Sequence, residues 1–404
     1  MKILFISYDF PYPPTGGSIS RDYNLIKQLS KHHELYWINR TIRGKIRQEY
    51  ADEMKKYFKE MRIVEWDYNQ NPAGFLKSLV TNTPYIIKRF ESDEMKKIVS
   101  ETIEQNKFDL VLCDHIYLTQ YIPESITGKI PVIPNNEDCG FTYYKRMTEN
   151  SGFVRKLYAQ SQWKKLLNYE ISILKKYKVY ITTSEKEKEL ISGYYDNADI
   201  GVVENGVDTG FFSERKRTDF NPNIVFTAWF KYYPNAVAAI DFVNNIFPKI
   251  KKKIPDLKFY IVGKEPPEKV KNLEKIKGVV VTGYVKDVRD FLANADAAVI
   301  PLQIGGGTRL KILEAMSMKI PVVSTELGAE GLDVDDGKNI LIAKNDDDFA
   351  QKVIRLITDE DLSGRISCGG KVLALRKYRW DTVGEKLNNF VSFFVKKFKE
   401  ENGM

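Results

Sequence analysis

Histidine and cysteine are scarce in this chain of 404 residues, which carries three of each: His32, His33 and His115, and Cys113, Cys139 and Cys368. The cysteines lie far apart with no CxxC pair, and the histidines do not join them at a ligand spacing, which argues against a structural zinc site and a disulfide framework. A reducing compartment fits. No run of about 18 uninterrupted apolar residues occurs, which removes a transmembrane helix. The opening Met1-Lys2-Ile3-Leu4-Phe5-Ile6-Ser7 is too short for a signal-peptide core and leads into Asp9 and three prolines, Pro11, Pro13 and Pro14, rather than a small-residue cleavage site. The expectation is a cytoplasmic protein. Charge of one sign is not in large excess: 62 Lys and Arg against 54 Asp and Glu give +8, too little over this length to mark a nucleic-acid binder.

What is present is the composition of a folded protein, 43% hydrophobic and 29% charged. At roughly 150 residues per domain the length suggests two domains. Short β-rich runs alternate with helical patterns, as in parallel sheets with helical crossovers. Strands are predicted at Lys2–Ser7, Leu35–Ile38, Leu110–Cys113, Val132–Ile133 and Val179–Thr182. Ile19, Tyr23, Ile26 and Leu29 recur at helical spacing after the first of them. A second series runs through Ile224–Phe230, Leu257–Val262, Val279–Thr282, Ala297–Leu302 and Pro321–Ser324, with helices opened by Pro234 and near Val288–Asn294. The fold class expected is α/β with two doubly wound, Rossmann-like domains. The polar stretch Glu204–Asn223 reads as the linker, giving domains at 1–204 and 205–376. In the remaining 377–404, Trp380, Val383, Leu387, Phe390, Val391, Phe394 and Phe398 form an apolar stripe on a helix about 20 residues long. That stripe must pack on the protein or lie on a membrane.

In open α/β sheets ligands bind beyond the carboxyl ends of the strands. Two such loops are rich in glycine. Pro13-Pro14-Thr15-Gly16-Gly17-Ser18 follows the first strand and precedes a helix, so bare backbone and a helix N-terminus can approach an anion there. Gln303-Ile304-Gly305-Gly306-Gly307-Thr308-Arg309-Leu310-Lys311-Ile312-Leu313-Glu314-Ala315-Met316 is the stronger element. Three consecutive glycines suit a phosphate cradle, with Thr308 as the expected N-cap. Helical spacing puts Gly307, Lys311 and Glu314 on one face, where Lys311 can meet a phosphate and Glu314 can accept from hydroxyls. The alternative is a surface ion pair. Neither GxGxxG nor GxxxxGK[ST] is present, and no GxSxG, so hydride transfer, nucleotide hydrolysis and α/β-hydrolase chemistry lose support.

Taken in order, Gly16-Gly17, Thr183-Ser184-Glu185, Asn205-Gly206-Val207-Asp208, Ile261-Val262-Gly263, Thr282-Gly283-Tyr284-Val285 and the Gly305–Met316 block resemble glycosyltransferase family four, in a subgroup with the donor loop GGGTRLKILEAM. The resemblance implies the GT-B architecture, a nucleotide-sugar donor in the interdomain cleft, no cofactor or metal requirement and retention of anomeric configuration. It implies that Gly16 and Gly17 approach the donor or acceptor, that Gly305, Gly306, Gly307, Thr308, Arg309 and Lys311 hold the diphosphate, and that Glu314 binds the ribose. By the same resemblance Gly283, Tyr284 and Val285 lie along the base, His115 stands beside the donor sugar and the C-terminal helix crosses back to the first domain. Two departures stand out. The family's first donor-loop glutamate falls on Gly306, and Trp229 occupies a position where many members carry arginine, leaving Lys231, Arg309 and Lys311 as the cations for a leaving diphosphate.

The function implied is transfer of a sugar, from a UDP-sugar in preference to GDP-mannose, to a cell-surface glycan or lipid-linked acceptor. The alternative is a catalytically reduced nucleotide-sugar binding partner of another transferase. Asp333-Val334-Asp335-Asp336 contains a DxD pattern that could hold a metal, but solvated turns explain it more simply. Arg43, Lys45, Arg47, Lys55, Lys56, Lys59 and Arg62, interleaved with Tyr50, Tyr57 and Phe58, read equally as a solvated surface or as a peripheral contact with an anionic membrane at its inner face.

Overall fold

The computed structural model describes residues 1–44, 46–66, 72–137, 140–149, 152–305 and 309–403. Lys45, Cys139, Gly306, Gly307 and Thr308 therefore lie outside the described residues. The chain divides into two units, Met1–Glu204 with Val383–Met404, and Asn205–Thr382.

The first unit is built on seven parallel strands, β1 (Lys2–Tyr8), β2 (Glu34–Ile42), β3 (Glu60–Trp66), β4 (Leu110–Asp114), β5 (Val132–Asn135), β6 (Val179–Thr182) and β7 (Asp199–Val202). Their order across the sheet is β3-β2-β1-β4-β5-β6-β7. Ile3, Leu4, Phe5 and Ile6 on β1 and Leu110, Val111 and Leu112 on β4 are wholly buried, because a parallel sheet carries crossover helices on both faces and its central strands read as unbroken apolar runs. The strand order reverses between β1 and β4, which makes that edge the switch point where ligands bind in such sheets.

The second unit repeats the scheme with β8 (Asn223–Thr227), β9 (Lys258–Val262), β10 (Val279–Gly283), β11 (Ala297–Ile300), β12 (Val322–Thr325) and β13 (Leu341–Ala343), ordered β10-β9-β8-β11-β12-β13. Its switch point lies between β8 and β11. Two parallel α/β sheets are thus the fold, as the alternation of runs leads one to expect. Strands β3, β7 and β13 are absent from the expected set.

The stretch after Glu204 is fastened to the second unit rather than left as a free linker. Val207 N donates to Tyr378 O at 2.7 Å, and a Cβ on Gly206 would lie 2.6 Å from the Trp380 ring. Arg215 pairs with Asp287 and Asp290, and Arg217 with Asp296. The apolar stripe of the last helix, Trp380–Glu401, is buried at Val383, Leu387, Val391 and Phe394. From Val383 onward this helix belongs to the first unit, where a Cβ on Gly384 would meet Gln28 at 2.5 Å. Asn388 bonds His33 at 2.7 Å, and Lys397 and Lys399 pair with Asp199 and Asp109. The stripe is used against the protein itself.

Candidate functional site

At the carboxyl edge of the second sheet, β8 gives way to residues 228–232 and then to the helix Tyr233–Asp241, which has Pro234 in its first turn, where the missing N–H costs nothing. Beside it β9 is followed by Gly263, with φ at +151° and a would-be Cβ only 1.7 Å from Ala228 O. No other residue fits that approach, and it lets the backbones knit: Ala228 N donates to Val262 O at 2.9 Å and Phe230 N to Lys264 O at 3.0 Å. On the far side β11 runs out to Gly305, at φ +111°, whose Cβ position lies 3.2 Å from both Pro234 and the Tyr232 hydroxyl.

The helix Leu310–Ser317 starts after that loop. Its N-cap position is held by Arg309, without a side-chain cap; the cap expected of Thr308 lies outside the described residues. Arg309 is buried. Lys311 and Glu314 are half-buried, while Ile312, Leu313, Ala315 and Met316 fill the core. Lys311 donates to Asn235 Oδ1 at 2.9 Å, and its ammonium lies 4.8 Å from the centre of the Phe226 ring. Asn235 in turn donates through Nδ2 to Trp229 O at 2.9 Å, which fixes the amide so that its oxygen faces Lys311. The half-buried Lys311 and Glu314 are therefore not an ordinary surface ion pair.

Burial and the nearby Arg309 cation push the Lys311 ammonium down to about 7, against the opposing pull of Glu314. Burial pushes the Glu314 carboxyl up to about 7, with Lys311 pulling the other way. Loss of water disfavours the charged form of each. An anion arriving beside Lys311 and Arg309 would restore the missing charge to the amine.

The other candidates are placed less centrally. Lys231 is exposed and pairs with Glu265 at 3.5 Å, and Trp229 is half exposed with Lys264 over its ring. Gly283 has φ +65°, Tyr284 is 77% exposed, and Val285 packs on the core. Asp333 and Asp335 of the DxD stretch pair with Lys377 and Lys338, and Asp336 accepts from Ile342 N. These are the bonds of a surface turn.

In the first unit, Gly16 caps the helix Gly17–Leu29 at an extended φ of −161°. A Cβ on Gly16 or Gly17 would meet nothing within 4 Å, so the fold itself does not require glycine at either. His115 follows β4 at φ +74°. Its N–H donates to Asn135 O at 2.7 Å, its ring stacks on Tyr117 at 5.0 Å, and its Nε2 lies 3.7 Å from Asp114.

Sequence reasoning overlooked the charges beneath this edge. Arg21, Asp22 and Asp114 are all buried. Arg21 donates to Glu204 O at 3.1 Å and Asn135 Oδ1 at 3.0 Å, and Asn135 donates to Asp114 Oδ1 at 2.9 Å. Burial and the neighbouring Asp114 and Glu137 carboxylates push Asp22 well above the usual carboxylate range. The available signal was positional: Arg21 and Asp22 sit one turn before Leu25 and Ile26, on the stripe that faces the sheet. Asn235 was overlooked as well, and nothing local marks it.

Residues 221–359 match the family model described as Glycosyl transferases group 1. An uncharacterized 44.6 kDa protein in the cps region of Klebsiella pneumoniae is 26% identical over 373 residues, covering 87% of this chain and 90% of its own. Among solved structures, sucrose-phosphate synthase from Thermosynechococcus elongatus superposes with a TM-score of 0.69 at 12% identity, over 98% of this chain and 99% of that one. Anabaena Alr3699/HepE, solved in complex with UDP and glucose, gives 0.63 at 14% identity, over 97% and 99%. The family match covers the sheet that carries Lys311 and Glu314, and the two-sheet fold is shared along nearly the whole length: the chain is a glycosyltransferase with a GT-B-like fold, similar over residues 221–359 to the group 1 family.

Proposed function

We propose that this chain, as a member of the triple-glycine donor-loop subgroup, moves a sugar from a UDP-sugar to a hydroxyl of a cell-surface glycan or lipid-linked oligosaccharide, retaining configuration and using no metal. The observation that carries this reading is the Lys311 to Asn235 hydrogen bond of 2.9 Å at the switch point of the second sheet. It holds a partly desolvated amine where a diphosphate would sit at the start of a helix.

In this reading Lys311 and Arg309 stabilise the negative charge that develops on the departing diphosphate, and the donor-loop residues Gly305, Gly306, Gly307 and Thr308 are assigned to it by the resemblance alone. A side chain already held in place, as Lys311 is by Asn235, needs little rearrangement at the moment of reaction. Glu314 would take the ribose hydroxyls, and Gly283, Tyr284 and Val285 would border the base. Lys231 would add a cation at the rim. His115 would face the donor sugar, and the open space at Gly16 and Gly17 would admit substrate close to the backbone. The complex of the Anabaena protein with UDP and glucose supports UDP over GDP.

The test is incubation with UDP-, GDP- and ADP-sugars, with and without EDTA, following donor cleavage and, by proton NMR, the anomeric configuration of the product. EDTA-insensitive cleavage of a UDP-sugar is expected. Binding without turnover under all acceptor conditions would instead mark a partner of another transferase, as Gly306 in the family's glutamate position would suggest.

A further inference from the structure

Among its described residues, the basic, aromatic segment between Arg43 and Arg62 pairs much of its charge with its own acids. Lys55 pairs with Asp52, Lys56 with Glu53 and Arg62 with Glu60. Tyr57 donates to Glu53 at 3.1 Å, and Tyr50 packs edge-on to Tyr12.

A different face of the first unit is built the other way round. The helix Pro72–Val80 buries Gly74 and Ser78 and turns Phe75, Leu76, Lys77, Leu79 and Val80 outward. Leu76 is 62% exposed and Val80 86%. A soluble amphipathic helix buries its large apolar side chains, and this one exposes them. The helix is nevertheless anchored: the Phe75 ring lies 5.5 Å from Tyr85 and 5.7 Å from Tyr158, and Lys165 donates to Ser78 O. Tyr158 belongs to the helix Phe153–Tyr177 and meets Tyr144 of the helix Gly140–Glu149 at 6.4 Å. Those two helices carry their own outward apolar groups, Tyr143, Phe153 and Leu157, 58%, 76% and 53% exposed. Patches of this kind on a soluble chain mark a docking surface.

Charge selects the partner. Segments 72–90 and 140–165 contain nine Lys or Arg and a single acid, Glu149, and Lys77, Lys145, Arg155, Lys156 and Lys164 are exposed. A second copy docked through the same face would bring like charges together, since a twofold contact is self-complementary. An anionic bilayer offers both an apolar interior and negative headgroups. We infer that the helices Pro72–Val80, Gly140–Glu149 and Phe153–Tyr177 form a docking surface for an anionic phospholipid membrane. Leu76, Leu79, Val80, Tyr143, Phe153 and Leu157 enter the headgroup boundary, and the surrounding cations meet the lipid phosphates. This deepens the proposed function, in which a lipid-linked acceptor is presented at such a surface. Its test is independent of sugar transfer.

The experiment is flotation of the full chain with vesicles of phosphatidylcholine alone and with about 30% phosphatidylglycerol, at low salt and at about 0.5 M salt, where the Debye length falls well below 10 Å. The substituted chain is Leu76→Ser/Val80→Ser, whose positions are exposed, with melting temperature as the control for folding. The unsubstituted chain is expected to float with the anionic vesicles and several-fold less with neutral ones or in high salt. The variant is expected to lose about tenfold in binding with an unchanged melting temperature. Failure of the unsubstituted chain to float, or equal flotation of the variant, overturns the inference. So does a dimer, seen by sedimentation, that the variant dissolves without any lipid binding. UDP binding measured in parallel is expected to be the same in both chains, so loss of UDP binding in the unsubstituted chain would count against the proposed function and leave the membrane surface standing.

Discussion

Lys311 and Asn235, 76 residues apart, meet at 2.9 Å and tie the start of the helix Leu310–Ser317 to the helix Tyr233–Asp241. The contact spans the switch point of the second sheet, between the ends of β8 and β11. It aims a cation at the place where the strand order reverses and keeps that cation short of water. Replacing Asn235 by Ala leaves the ammonium without its acceptor. The expected cost is about 1–3 kcal/mol of stability, read by denaturant unfolding, together with weaker donor binding. A double-mutant cycle with Lys311→Met is expected to give a coupling of about 0.5–2 kcal/mol; strict additivity would show that the contact carries no energy.

The two shifted groups predict opposite pH slopes in the unliganded protein. Lys311, lowered to about 7, binds fewer protons folded than unfolded between about pH 7 and 10, so its contribution to stability rises with pH there. Glu314, raised to about 7, binds more protons folded than unfolded between about pH 4.5 and 7, so its contribution falls as pH rises through that window. Each slope is bounded by about 1.4 kcal/mol per pH unit. Melting curves of Glu314→Gln relative to the unsubstituted chain are expected to gain in stability from pH 5 to 7. A flat difference would contradict the burial-driven shift.

Arg21 holds the acidic cluster of the first unit together. Arg21→Met leaves Asp22, Asp114 and Glu137 facing one another without their buried cation, and removal of one partner from such a cluster costs about 3–5 kcal/mol. Asp22→Asn removes a carboxylate held well above its usual range, so the variant is expected to match or exceed the original in stability, increasingly as pH rises above 5. Thermal unfolding of the two variants across pH 5 to 8 checks both signs.

Two glycines are expected to respond oppositely. A Cβ on Gly263 would lie 1.7 Å from Ala228 O, so Gly263→Ala must break the join between β8 and β9 and cost several kcal/mol. A Cβ on Gly16 meets open space, so Gly16→Ala is expected to keep the melting temperature within about 2 °C while sugar transfer falls. Unchanged transfer by a folded Gly16→Ala chain would remove that loop from the account.

The central strands were legible because both of their faces are covered and they read as apolar runs, as in Ile3 to Ile6 and Ala297 to Ile300. The strands that escaped notice, β3, β7 and β13, are sheet edges. Glu60-Met61-Arg62-Ile63-Val64-Glu65-Trp66 mixes charges into its alternation, as an edge exposed to solvent permits, and β13 is three residues long. Lys311 and Glu314 were legible as one face of one helix because their spacing is local. Asn235 was not, because only the crossover from β8 brings it to Lys311. Arg21 and Asp22 were passed over because charged residues beside an apolar stripe ordinarily belong to the surface, and here they lie under it.

The measurement that bears most directly on the central claim is calorimetric titration of UDP, in EDTA at pH 8, into the unsubstituted chain and into Lys311→Met, each in two buffers of different ionisation enthalpy. The account predicts that UDP binds the unsubstituted chain with uptake of up to about one proton, as the Lys311 amine regains its charge against the diphosphate. It predicts that Lys311→Met binds roughly tenfold or more weakly, the loss of a charge-assisted hydrogen bond, with that uptake abolished. Equal affinity in the two chains, with no buffer dependence in either, would contradict it and move the diphosphate away from the Leu310–Ser317 helix.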